Sequence, residues 1–155
     1  MSQPLQVITY QEKYRTDFRD LNLEWIQKYF RAEKKDLEQL SRPEECRAEG
    51  GEIFFVLDGD EAVGACAMYK TGAHEYELAK MAVRPSHQGR GLGDLLMLAA
   101  EDWATANGGE CILILSNTIL GPAIKLYKKH GYITVNLGPH PDYERANIEM
   151  RKQIR

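Results

Sequence analysis

Between Met81 and Gly93 the chain reads MAVRPSHQGRGLG: an apolar run ends at a proline, three glycines fall within five residues, and a helical pattern begins at once. Glycine allows positive φ and close approach by another molecule, and free N–H groups at the start of a helix make a seat for an anion. The stretch is therefore a candidate phosphate-binding turn. Two nucleotide turns do not fit it. The P-loop needs GxxxxGK followed by Ser or Thr, and both the spacing and the lysine are missing. The dinucleotide turn needs GxGxxG and an acidic residue closing the next strand; here the spacing is GxGxG and that strand ends at Ser116.

The segments around the turn define the fold class. Leu92, Leu95, Leu96, Ala99 and Trp103 recur at helical spacing as far as Asn107-Gly108-Gly109, and the unbroken apolar run Cys111 to Leu115 follows. Strand, helix and strand in that order imply a parallel pair joined by a right-handed crossover. Upstream, Leu5 to Tyr10 reads as a strand, and Thr9 with Glu12 spells a capping box that would open a helix. Tyr14, Phe18, Leu21, Trp25 and Tyr29 mark one face of that helix. A second, charged helix over Ala32 to Leu40 stops before Pro43, because a residue preceding proline disfavours the helical region. Gly50-Gly51 turns the chain into the apolar strand Ile53 to Leu57, and Asp58-Gly59 signals a hairpin into Glu61 to Lys70. Thr71-Gly72 leads to a strand over His74 to Val83. A later helix begins near Ile119, tolerates Pro122 in its first turn and is capped by Gly131. Tyr132 to Leu137 and Ala146 to Ile154 read as the last strands. The predicted fold class is α+β (mixed α/β), a single domain over residues 1–155. Its central sheet is mixed and mostly antiparallel, with about seven strands and about four helices.

Charge and cysteine usage exclude other classes. Twenty Lys and Arg against 23 Asp and Glu give a net charge of -3, which argues against a general nucleic-acid or anionic-membrane binder. Cys46, Cys66 and Cys111 are odd in number, widely spaced and set in apolar stretches, so they read as reduced, buried thiols. The longest apolar run, Leu95 to Ala100, is far shorter than the roughly 20 residues that span a bilayer. The N-terminal MSQPLQVITY has no basic region ahead of an apolar stretch, so the expectation is a cytoplasmic chain without a secretory leader. The four histidines show no metal-ligand spacing.

Two further blocks make the glycine turn specific. AIKLYKKHGY runs from Ala123 to Tyr132, and the strand Glu77 to Val83 leads into VRP at Val83 to Pro85. With the turn, these resemble the GCN5-related N-acetyltransferase (GNAT) family over nearly the whole chain. The family's Gln or Arg, two residues, Gly, one residue, Gly or Ala is matched at Gln88, Gly91 and Gly93. The later block looks like its Ala-x-x-Leu-Tyr-x-x-x-Gly-Phe. The resemblance implies a GNAT-like fold and an acyltransferase that moves the acetyl group of acetyl-CoA to a primary amine. The acceptor would be a small molecule, amino acid or peptide, attacking directly in a ternary complex. The alternative is a non-catalytic acyl-CoA-binding sensor. Acetyl-CoA enters as co-substrate, with no metal, nucleic acid or membrane, and a homodimer is left open.

The resemblance also implies roles for single residues. The turn Gln88, Gly89, Arg90, Gly91, Leu92, Gly93 and Asp94 would hold the coenzyme pyrophosphate, and the main chain of Met81, Ala82 and Val83 would pair with the pantetheine arm. An N–H of that strand would polarise the thioester carbonyl. Tyr127 matches the tyrosine near the coenzyme sulfur, a candidate proton donor to the departing thiolate. Asn117 is a candidate pantetheine contact or a cap for the following helix. An ammonium must lose a proton before it attacks, and Glu77 is the preferred base, with Glu75 as runner-up. Strand alternation puts residues 77, 79, 81 and 83 on one face. Phe30, Glu33 and Tyr143 are candidate acceptor contacts, with Glu33 attracting the amine's charge, whereas Trp25 and Tyr29 lie on the core stripe. Residues 84–93 and 125–130 carry five basic and no acidic side chains (Arg84, Arg90, Lys125, Lys128, Lys129), a local patch suited to phosphates.

Overall fold

A computed structural model describes residues 4–141 and 143–155. In chain order the elements are β1 (Leu5–Thr9), α1 (Arg15–Tyr29), α2 (Lys34–Ser41), α3 (Pro43–Ala48), β2 (Glu52–Asp58), β3 (Glu61–Gly72) and β4 (Glu75–Val83). Then follow α4 (Leu92–Ala106), β5 (Cys111–Ser116), α5 (Gly121–Lys129), β6 (Ile133–Leu137) and β7 (Ile148–Gln153). The seven strands form one sheet in the order β1-β2-β3-β4-β5-β7-β6. Only β4 and β5 run parallel, joined through α4 as the strand-helix-strand pattern requires.

The helices cover both faces of the sheet. Phe54, Met68, Tyr76 and Ile112 pack with Leu96 and Met97 of α4 on one side. On the other, Ile53, Phe55 and Ala65 pack with Phe18, Leu21 and Ile26 of α1. A strand buried on both sides cannot alternate, which is why β2 reads as a continuous apolar run.

Three local details differ from the sequence expectations. Thr9 caps nothing; a 3-10 turn at Glu12–Tyr14 leads into α1. Five α-helices form rather than four, because Pro43 does more than stop α2: proline fits the first turn of a helix, and α3 starts on it. Tyr29, expected on the buried stripe, is 43% exposed at the end of α1, while Ile26 takes the buried position.

The difference with the largest consequence lies in β4. Its register with β3 jumps from Ala67↔Ala79 to Ala65↔Ala82, so Cys66 alone opposes Lys80 and Met81. This is a β-bulge, and Lys80 sits in it at φ 55, the one positive-φ residue other than glycine among the described residues. The extra residue reverses the alternation. Tyr76 and Leu78 point to the α4 side before the bulge, and Met81 and Val83 point there after it. Residues 77, 79, 81 and 83 therefore do not share one face as a regular strand would have them do.

Candidate active site

β4 and β5 pair only from Glu75↔Cys111 to Glu77↔Leu113. Beyond that they part, and β5 continues against β7 as far as Ser116↔Ile148. The bulge begins two residues after the split, so the main chain of Lys80 and Met81 has no ladder partner on the β5 side. A cleft opens there. It is lined by Glu77 to Met81 of β4, by Ile114 to Asn117 at the end of β5, by Tyr127 of α5, by Asn22 and Trp25 of α1, and by Phe30 just after that helix.

The structure brings several of the sequence candidates to this one cleft: Glu77, Met81, Asn117, Tyr127, Phe30 and Tyr143 all line it. Burial pushes the Tyr127 phenol up to about 12, so it is protonated across the physiological range and is a donor rather than a base. Glu75 is outside the lining. Its carboxylate accepts Thr71 Oγ1 at 2.9 Å and Arg151 Nη1 at 2.7 Å. Burial raises its pKa, but these two bonds outweigh that and hold it below the usual range, a poor setting for a base. Asn117 donates from Nδ2 to the Arg145 carbonyl at 2.6 Å and accepts the Ile119 N–H at 3.0 Å. It shapes the loop after β5 rather than capping α5, whose N-cap is Leu120.

Glu33 departs from its expected place. It is the N-cap of α2, and its carboxylate accepts the main-chain N–H of Glu144 at 3.1 Å and Arg145 Nη1 at 3.1 Å. It ties α2 to the loop before β7 and does not line the cleft, so attraction of an amine does not fall to it. Tyr143 is 6% exposed and donates to Gln39 Oε1 at 3.0 Å. The cations of Lys35, Lys80 and Arg145 lie 4.8–5.3 Å from its ring centroid.

The glycine turn follows β4 through a 3-10 turn at Pro85–His87. Gln88 Nε2 donates to the Val83 carbonyl at 3.2 Å, which braces the turn against the strand. Gly89 and Gly91 have φ of 78° and 81°, and a Cβ built on either meets nothing within 4 Å. The backbone is thus presented bare to open space, as a phosphate would need, with Gly91 as the N-cap of α4. Gly93 has a different reason to be glycine: a Cβ there would sit 2.8 Å from Leu126 Cδ2, so it lets α5 pack closely on α4. Leu92 anchors the turn in the core at 1% exposure.

The basic patch is smaller than its sequence count. Arg84 pairs with Glu61, and Lys129 and His130 both reach Asp94 Oδ1, at 2.9 and 2.7 Å. Bonds from Lys129 and His130 hold Asp94 below the ordinary carboxylate range, so it remains charged within its pairs. Arg90, Lys125 and Lys128 keep their charge unpaired among the described residues. An open αL glycine turn, a helix N-terminus and three unpaired cations fit the phosphates of a coenzyme, and the parted strands fit its extended arm.

One feature of the site was invisible in the sequence. Asp36 of α2 is fully buried, accepts Lys80 Nζ at 2.6 Å and the Glu33 N–H at 2.9 Å, and is held by both terminal nitrogens of Arg145. Burial alone would raise its carboxyl, but Arg145 and Lys80 hold it down at about 2. The bulge residue is thereby fastened to α2 and to the loop before β7. These partners lie 44 and 109 residues from Asp36, and no local pattern reports such a pairing.

The acetyltransferase (GNAT) family profile matches residues 18–132. The uncharacterized N-acetyltransferase YjcF of Bacillus subtilis strain 168 is 32% identical over 101 residues, which is 65% of this chain and 69% of that protein. Streptothricin acetyltransferase of Streptomyces lavendulae is 31% identical over 75 residues; the match spans 48% of this chain and 40% of that relative's length. Among solved structures, a GNAT-family acetyltransferase from Staphylococcus aureus Mu50 shares the fold at a TM-score of 0.88 and 15% identity, covering 98% of this chain and all of that one. The Salmonella typhimurium protein yncA, solved with its cofactor acetyl-CoA, does so at 0.80 and 16% identity, covering 98% of this chain and 95% of that one.

Proposed function

The chain belongs to the GNAT acetyltransferase family, and from that premise we propose that it transfers the acetyl group of acetyl-CoA directly to a small primary amine. One observation carries the reading: Tyr127 and Glu77 line the same cleft, where the bulged main chain of β4 has no ladder partner on the β5 side. Acetyl-CoA supplies the activated acetyl thioester. The turn Gln88–Asp94 holds its pyrophosphate, and the freed main chain of Met81, Ala82 and Val83 receives its amide-bearing arm. An N–H of the bulge faces the carbonyl oxygen as that oxygen gathers negative charge, the role in which preorganised donors stabilise most.

Glu77 takes one proton from the ammonium, directly or through water, and releases it to solvent. The amine nitrogen then forms its bond to the acetyl carbon while the carbon–sulfur bond breaks. Tyr127 gives its proton to the departing sulfur and recovers one from the new amide nitrogen, so the two products leave neutral at those atoms. A cysteine relay has no support. Burial pushes the Cys46 thiol up to about 12 and the Cys66 thiol higher still, and Cys111 is half-buried beside Arg151, outside the cleft lining. Among the described residues no helix is long and apolar enough to cross a membrane.

Release of free thiol from acetyl-CoA across a panel of primary amines tests the reading. Amine-dependent release is expected. Tight coenzyme binding by calorimetry with no release on any amine makes the protein an acyl-CoA sensor instead.

A further inference from the structure

Asn22 of α1 is 1% exposed, yet it lines the cleft. Its Nδ2 donates to the Phe18 carbonyl at 2.9 Å. A carbonyl oxygen only accepts, so this bond fixes which end of the amide is nitrogen. The acceptor Oδ1 is then what Asn22 offers the cleft, and no donor meets it among the described residues. On a side chain with so little exposure, an acceptor left over at the cleft is placed to meet a ligand N–H.

The surrounding wall says what kind of ligand that is. Trp25 and Phe30 pack with ring centroids 6.5 Å apart and present apolar surface to the cleft. Two cations line it, Lys80 and Arg145, but both are engaged: Lys80 Nζ lies 2.6 Å from Asp36, and Arg145 holds Asp36 and Glu33. A carboxylate on the acceptor finds no unpaired cation there. Glu77 is the one acidic side chain among the described lining residues, and its charge also acts on Lys80. The lining therefore offers the acceptors of Asn22 and Glu77 together with the aromatic surface of Trp25 and Phe30.

Building on the transferase reading, we propose that the acceptor is a primary amine on an apolar body, a monocation without a carboxylate next to its nitrogen, and that Asn22 selects it by accepting a hydrogen bond from that nitrogen. Amino acids with a free α-carboxylate are poor substrates. Asn22 is a specificity residue, distinct from Glu77, which handles the proton.

Two probes that differ only in the α-carboxylate test this: 2-phenylethylamine and L-phenylalanine, compared by thiol release at saturating acetyl-CoA. The expected kcat/KM is roughly tenfold or more higher for 2-phenylethylamine. Asn22→Leu keeps the volume and removes the acceptor; it should raise KM for 2-phenylethylamine by roughly tenfold, one lost hydrogen bond to a charged group, with acetyl-CoA affinity by calorimetry unchanged. L-Phenylalanine turned over as well as 2-phenylethylamine, or an unchanged KM in Asn22→Leu, overturns the inference and leaves the transferase reading standing. Absence of thiol release with every amine overturns both.

Discussion

Removal of Asp36 isolates the energetic role of the buried charge cluster. The carboxylate is 0% exposed and balances Lys80, whose side chain is 3% exposed, and part of Arg145. In Asp36→Ala, Arg145 retains Glu33 and a partly exposed path to solvent, so the uncompensated charge is chiefly Lys80. Deleting one partner of a buried pair costs about 3–5 kcal/mol. A ceiling follows independently: Lys80 can shed its proton, and doing so at pH 7 from an ordinary lysine costs about 5 kcal/mol. For a chain of this size that corresponds to a loss of roughly 10 °C in Tm. The double variant Asp36→Leu with Lys80→Met removes both charges and should lie within about 1–2 kcal/mol of wild type. Urea and thermal unfolding at pH 7 measure all three. A single-variant loss below about 1 kcal/mol, or a double variant no better than the single, refutes the reasoning.

Three further outcomes are expected. The folded-state value of about 2 for Asp36 against 3.8 when free means the unfolded chain takes up the proton first. Stability from this group is therefore complete above about pH 5 and is lost as pH falls from about 4 to 2, by at most roughly 2 kcal/mol; urea midpoints at stepped pH measure it, and an equal acid loss in the double variant contradicts the assignment. Gly93→Val drives side-chain carbons into Leu126 and should cost about 1–3 kcal/mol, partly recovered by Leu126→Ala, whereas Gly93→Val without effect on the unfolding midpoint removes the packing explanation. Glu77→Gln should lower kcat by roughly 10²-fold or more with unchanged acetyl-CoA affinity and a displaced acid limb in the rate profile; an unaltered profile removes Glu77 from the base role.

What the sequence disclosed is the set of features with a short period or a short range. The run Ile53 to Leu57, the helical spacing from Leu92 to Trp103 and the apolar Cys111 to Leu115 lie in β2, α4 and β5, and the order of the strand before α4, α4 itself and β5 required the one parallel pair. Gln88 to Asp94 likewise stands at the start of α4, where glycine spacing put it. Misread features are those set by a competing local rule or by distance along the chain. Pro43 obeyed two rules at once, ending α2 and opening α3. The bulge at Lys80 shifts the alternation of β4, and nothing in ELAKMAV announces an extra residue. Glu33 looked like a free anion off the apolar stripe until Arg145, 112 residues later, folded onto it. Asn22 was passed over because its value lies in which of its two amide ends is already used.

Tyr127→Phe is the most direct test of Tyr127 as the proton donor of an acetyl transfer. The phenyl ring keeps the packing against the core and loses only the hydroxyl. Steady-state thiol release with a saturating amine, alongside calorimetry of acetyl-CoA, separates chemistry from binding. In this variant kcat should fall by roughly 10²-fold or more with coenzyme affinity unchanged. Wild-type kcat should show no loss from Tyr127 ionisation up to about pH 10, because burial pushes the phenol up to about 12. A Tyr127→Phe enzyme with wild-type kcat contradicts the donor role.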